Sequence, residues 1–163
     1  MLANIKLNSD LSKAKNTQIL FADAIKTSHR IFMKRYNNNE LKNYKYNPTF
    51  AASELGLDEE LVGQLVEDYI TQILNTRDQF YYLIDNINQE AKKIDLQNLA
   101  HKNLGVAKNL RIEDAQIFLK DLMLVADIGH LKDCVDALES CAFKLNPTYA
   151  FNVLHLMEVK NSF

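Results

Sequence analysis

Apolar residues recur along this chain at three- and four-residue steps, the spacing that collects side chains on one face of an α-helix, and every strong pattern has this period. The first stripe, Ile19, Leu20, Ala24, Ile25, Ser28, Phe32 and Tyr36, predicts a helix from residue 16 to 35, preceded by a loosely held polar arm over 1–15. Asn37-Asn38-Asn39 ends it, and the polar and aromatic stretch that follows, through residue 47, reads as a linker. Asn47-Pro48 supplies a cap residue and a proline for the first helical position, so a short helix with Phe50, Ala51, Ala52 and Leu55 should begin there and stop at Gly56. Asp58 opens the longest element, which carries Leu61, Val62, Leu65, Val66, Tyr69, Ile70, Ile73, Leu74, Phe80, Tyr81, Ile84 and Ile87, with room for a bend near Asn75-Thr76.

Beyond the polar stretch 88–93, Asp95 can cap a helix with Leu96, Leu99, Ala100, Leu104, Ala107 and Leu110 on its apolar side. Glu113 or Asp114 opens another with Ala115, Phe118, Leu119, Leu122 and Val125, and Gly129 separates it from a helix carrying Leu131, Cys134, Val135, Leu138, Cys141, Ala142 and Leu145. Asn146-Pro147 repeats the cap-plus-proline signal before a last helix with Phe151, Leu154 and Met157. No two segments repeat one another and the connections are short. The prediction is all-α: an up-and-down antiparallel four-helix bundle within residues 46–163, with a short C-terminal helix, preceded over 1–45 by an arm, an extra helix and a linker.

Composition narrows the function classes. The 163 residues are 47% hydrophobic and 25% charged, the balance of one globular domain, and four glycines with two prolines speak against hairpin-rich β architecture. Nineteen basic against twenty-one acidic residues leave a net charge of −2, without the basic face that nucleic-acid binding requires. No run approaches the ~18 apolar residues of a membrane span, and the opening MLANIKLNSDLSKAK lacks the apolar centre of a signal peptide, so a cytoplasmic protein without a membrane partner is expected. Cys134 and Cys141 suit reduced core positions. His130 stands four residues before Cys134, and Cys141 seven further on, which could place three metal-capable side chains along one helix face. Structural zinc sites take four ligands from more than one segment, however, and no second cluster accompanies these, so they read as buried cysteines and a helix-start histidine, with no metal.

The candidate chemistry lies in residues 100–112, AHKNLGVAKNLRI. Gly105 sits at the centre of a helical pattern, where glycine costs about 1 kcal/mol relative to alanine, so something must want it small. At helical spacing His101, Gly105 and Lys108 share a face, with Gln97 one turn before the histidine and the apolar stripe largely to the other side. An exposed imidazole is a nucleophile, a bare stretch of backbone lets another protein approach, and a neighbouring ammonium can pair with a phosphoryl oxygen. Together they describe a phosphate-carrying histidine.

In these residues the chain resembles the histidine-containing phosphotransfer domains of bacterial phosphorelays, whose signature is A-H-x-L-K-G followed by small residues and a leucine on the second helix of a four-helix bundle. Ala100, His101, Gly105, Ala107 and Leu110 stand where that pattern has its alanine, phosphorylated histidine, glycine, small residue and leucine. The likeness extends over about residues 46–145, with FAASELGLDEELVGQLVEDYITQIL similar to the family's first helices and HLKDCVDALESCAFKL to its closing one. The chain departs from the signature at Asn103 and Leu104, where the family has leucine and lysine. Lys108 is then the better placed substitute cation, about 10 Å along the axis on the same face, while Lys102 is about 100° around the helix.

The resemblance implies a phosphocarrier with no active site of its own: His101 accepts a phosphoryl group from, or returns it to, a receiver-domain aspartate of a response regulator or hybrid histidine kinase. Mg²⁺ would be supplied by that receiver, and this chain would bring no cofactor. Gln97, Lys102, Leu104, Gly105 and Lys108 would line the docking face, with Lys108 steadying the phosphoryl group. The alternative is a non-catalytic module that docks a receiver or kinase through the same face without carrying phosphate.

Overall fold

The computed structural model describes residues 45–161 together with 12, 13, 15 and 16, and its regular elements are helices. The helix and linker expected within 1–45 lie almost wholly outside the described residues. Ser12, Lys13, Lys15 and Asn16 are helical and exposed, so the loose arm expected over 1–15 is helical where it is described, in keeping with the good helix propensity of lysine.

Helix α1 (Pro48–Leu55) starts and stops where its end signals are: Asn47 Oδ1 accepts the Phe50 N–H at 3.0 Å, and Gly56 closes the helix at φ +66°. Asp58 caps α2 (Glu59–Asp85) through the Leu61 N–H at 2.8 Å. This helix continues through Asn75-Thr76 as one element, the Thr76 hydroxyl donating back to the Gln72 carbonyl at 2.8 Å. Helix α3 (Glu90–Asn109) begins five residues before Asp95, the expected cap. Gln89 makes no side-chain cap bond, so the helix formers 90–93, with Glu90 favourably placed in the first turn, carry the start instead. Arg111, at φ +61°, reverses the chain into α4 (Glu113–Leu124). Gly129 is not the separator before α5 (Ile128–Leu145): Asp127 caps that helix through the His130 N–H at 2.8 Å and takes Gly129 into its first turn. Asn146 Oδ1 accepts the Tyr149 N–H at 3.1 Å at the head of α6 (Pro147–Asn161).

The amphipathic faces decide the packing. Helix α2 packs against α3, α3 against α4, α4 against α5, and α5 back against α2, while α1 lies on α2, and α6 lies on α2 and α5. Their apolar faces enclose one core, with Tyr69, Phe80, Phe118, Ile70 and Leu74 among its largest fully buried side chains. Polar ties cross it: Arg77 of α2 pairs with Glu139 of α5, Tyr81 with Asp136, and the Thr71 hydroxyl with that of Tyr149 at 3.0 Å. Among the described residues no helix is long and apolar enough to cross a membrane.

Candidate functional site

Helix α3 owes its orientation to a narrow apolar stripe and one polar residue inside it. Leu96, Ala100, Leu104, Ala107 and Leu110 are buried, as their spacing requires. Asn103 is buried with them, only 1% exposed, and both ends of its amide are used: Nδ2 donates to the Leu99 carbonyl at 2.8 Å, and Oδ1 accepts from Gln72 Nε2 of α2 at 2.8 Å. Burying an amide is tolerated when its hydrogen bonds are made, and the Gln72 bond fixes which side of α3 faces α2.

The opposite side faces solvent. His101, Lys102, Gly105 and Lys108 are all exposed, so the strip of imidazole, bare backbone and ammonium expected from the sequence is present on the surface. A Cβ built on Gly105 meets nothing within 4 Å. No neighbouring helix demands a glycine there, and the helix propensity it sacrifices has no cause inside the described fold. Open space alone does not mark a site, because a Cβ on Gly63 of α2 also meets nothing. What distinguishes Gly105 is an exposed histidine one turn before it and an exposed lysine one turn after it on the same face.

Two of the expected docking residues are placed differently. Leu104 is 6% exposed and belongs to the core, because its position, about 60° around the helix from His101, falls at the margin of the stripe carrying Ala100 and Ala107. Gln97 is half-buried, and its Nε2 donates to the Met123 carbonyl at 3.3 Å, tying α3 to the last turn of α4. At the other end of α3, Arg111 Nη1 donates to the Lys108 carbonyl at 2.8 Å while its Nε pairs with Glu54 of α1 at 2.8 Å. The lysine backbone is thereby anchored while its side chain stays in solvent.

A second cluster lies between α4 and α5. His130 Nε2 is 2.9 Å from Asp121 Oδ2 and 3.7 Å from Cys134 Sγ, and the three donor atoms lie within 4.8 Å of one another. Asp121 was not picked out by sequence reasoning, since a single carboxylate on a different helix carries no spacing signal. Cys141 does not join this group. Its thiol donates to Asp114 Oδ2 at 3.2 Å, and Asp114 Oδ1 also accepts the Ala115 N–H at 2.9 Å. Burial lifts both the Asp114 carboxyl and the Cys141 thiol above their ordinary values, so both hold their protons more tightly than in water. Burial, with the nearby Asp121 carboxylate, pushes the Cys134 thiol up to about 12.

No protein-family model, curated protein sequence or solved structure matches the chain.

Proposed function

We propose that this protein is a histidine phosphotransfer protein of a two-component phosphorelay, working in the cytoplasm, with His101 as the phosphoacceptor. The carrying observation is Gly105: an exposed glycine in mid-helix with open space around its Cβ position, one turn from an exposed imidazole. The ring of packed helices α2 to α5 supports an up-and-down antiparallel four-helix bundle as the scaffold, with α1 and α6 as additions.

In this reading the His101 Nε2 attacks the phosphorus of a receiver's aspartyl phosphate. The N–P bond forms as the P–O bond to the aspartate breaks, and the receiver recovers its carboxylate. Mg²⁺ sits on the receiver, and this chain brings no cofactor to the transfer. Its contribution is positional: a rigid helix presents the imidazole, Gly105 admits the receiver's loops, and Lys108 offers a cation to the phosphoryl oxygens. The burial of Leu104, where the resemblance expects a lysine, favours a second reading in which the same face docks a receiver or kinase without accepting phosphate.

Incubation with a phosphorylated receiver separates the two. The phosphocarrier reading expects acid-labile, base-stable phosphate on the protein, lost in His101→Gln with helicity and Tm nearly unchanged, because the replaced side chain is exposed. Labelling that persists in the variant refutes His101 as acceptor. A wild type that binds the receiver and takes no phosphate is the docking module.

A further inference from the structure

We propose that Asp121, His130 and Cys134 form a binding site for a divalent transition ion of the zinc type, bridging α4 and α5. The donor set itself selects the ion class: one imidazole nitrogen, one thiolate sulfur and one carboxylate oxygen suit zinc and its borderline neighbours and do not suit Mg²⁺ or Ca²⁺, which take oxygen. The geometry is close to that of an occupied site. With Zn–N about 2.0–2.1 Å and Zn–S about 2.3 Å, tetrahedral coordination places nitrogen and sulfur roughly 3.6 Å apart and nitrogen and oxygen roughly 3.4 Å apart. The corresponding separations are 3.7 Å for His130 Nε2 to Cys134 Sγ and 2.9 Å for His130 Nε2 to Asp121 Oδ2. The carboxylate has to withdraw from Nε2 by about half an ångström, and the third pair, Asp121 and Cys134, lies within 4.8 Å, where tetrahedral coordination asks for roughly 3.6 Å.

The same nitrogen, Nε2, faces both other donors, as a metal-binding imidazole must. His130 and Cys134 occupy successive turns of one helix and Asp121 reaches across from another, so the ligands come from two segments, the condition that the pattern along α5 alone did not meet. Asp121 and His130 have side chains about a quarter exposed, at 25% and 24%, which leaves an approach for the ion and a fourth position for water, while Cys134 closes the inner side. Binding replaces the Asp121–His130 hydrogen bond with two bonds to metal. It also requires the Cys134 thiol to lose its proton to solvent as the S–metal bond forms, so occupancy rises with pH. Nothing in this site depends on His101.

The test is a titration of the chelator-stripped full chain with Co²⁺ and then Zn²⁺. The proposal expects saturation at one ion per chain, a sulfur-to-cobalt charge-transfer band in the near ultraviolet with visible bands of tetrahedral cobalt, displacement by Zn²⁺, and an upward shift of Tm with Zn²⁺. Cys134→Ala should abolish the charge-transfer band, and Asp121→Asn should weaken Zn²⁺ binding at least tenfold, since even the groups that merely orient a ligand are worth about 10–100-fold. Cys141→Ala should leave both readouts unchanged. Because Cys134 is fully buried, Asp121→Asn, which changes a quarter-exposed side chain without altering its size, keeps the test decisive if Cys134→Ala does not fold. Absence of saturable one-to-one binding, Zn²⁺ affinity unaltered by Asp121→Asn, or a charge-transfer band that survives Cys134→Ala and vanishes with Cys141→Ala, would overturn it.

Discussion

Gly105→Ala puts the reading of α3 at risk in a single measurement, because the two explanations for a mid-helix glycine predict opposite signs. If another helix needed the space, a methyl group would overpack the contact and cost about 1–3 kcal/mol. The structure leaves nothing within 4 Å of the added Cβ, so no such cost arises. What remains is local: alanine is favoured over glycine in a helix by about 0.8–1.0 kcal/mol, part of it through lower entropy of the unfolded chain. The exposed methyl adds little apolar burial, and the net expectation is a gain of about 0.5–1 kcal/mol, or roughly 1–4 °C in Tm for a domain of this size. Urea unfolding followed by far-ultraviolet circular dichroism resolves a difference of that order, and a loss of stability in Gly105→Ala refutes the open-space argument. The functional half of the reasoning needs a larger side chain. Gly105→Gln should keep the free protein at least as stable as wild type, yet slow phosphotransfer from a receiver tenfold or more by holding the partner's loops away. Transfer at the native rate in this variant would show that the glycine serves no approach.

Two further predictions concern the residues around His101. Asn103→Ala breaks a buried bond to Gln72 and one to Leu99 and should destabilise by about 1–3 kcal/mol; a double-mutant cycle with Gln72→Ala should return a coupling of at least about 0.5 kcal/mol, and strict additivity would deny that the pair orients α3. Lys108→Ala should slow transfer about ten- to a hundredfold, the worth of one charge-assisted hydrogen bond of roughly 1.5–3 kcal/mol, whereas Leu104→Lys, which forces a cation into a position 6% exposed, should cost about 2 kcal/mol or more of stability even if its ammonium reaches the surface to rescue that defect. Unchanged transfer in Lys108→Ala would mean that the receiver supplies all the charge the phosphoryl group needs.

What the sequence made legible were features written in neighbouring residues. Asn47-Pro48, Asp58 and Asn146-Pro147 mark helix starts because the capping side chain and the amides it serves lie within three residues of each other, and all three caps are made. The start of α3 is not marked by its sequence because no side chain caps it, and that of α5 is obscured by Gly129, which resembles a breaker although Asp127 caps ahead of it. Exposure of His101, Gly105 and Lys108 followed from the helical period, which also gave the core face of α3. The contacts of Asn103 and Asp121 did not follow. The first finds its partner 31 residues back along the chain, and the second meets a histidine nine residues on, after a reversal whose angle no local pattern specifies. Leu104 lies between the two cases: its spacing fits the apolar stripe and the resemblance puts it on the docking face, and its 6% exposure places it with the stripe.

The way α3 is held bears on how the proposed phosphocarrier would place its nucleophile. A residue in a helix turns about 100° from the one before it, so the direction in which His101 points is fixed once the rotation of α3 about its axis is fixed. Apolar packing alone sets that rotation loosely, because leucine and alanine in a stripe tolerate sliding and small turns with similar burial. Directional bonds do not. Asn103 stands about 200° around from His101, and its bond to Gln72 pins the far side of the helix to α2, so the imidazole is turned outward. Gln97 bonded to the Met123 carbonyl at one end and Arg111 bridging the Lys108 carbonyl to Glu54 at the other restrain the same helix along its length. A leucine at position 103 would pack as well and carry no such information. The polar residue that departs from the resemblance at that position therefore does not count against His101 as a presented side chain, whereas the leucine beside it, by removing a cation from the surface, bears directly on whether the presented imidazole can hold a phosphate.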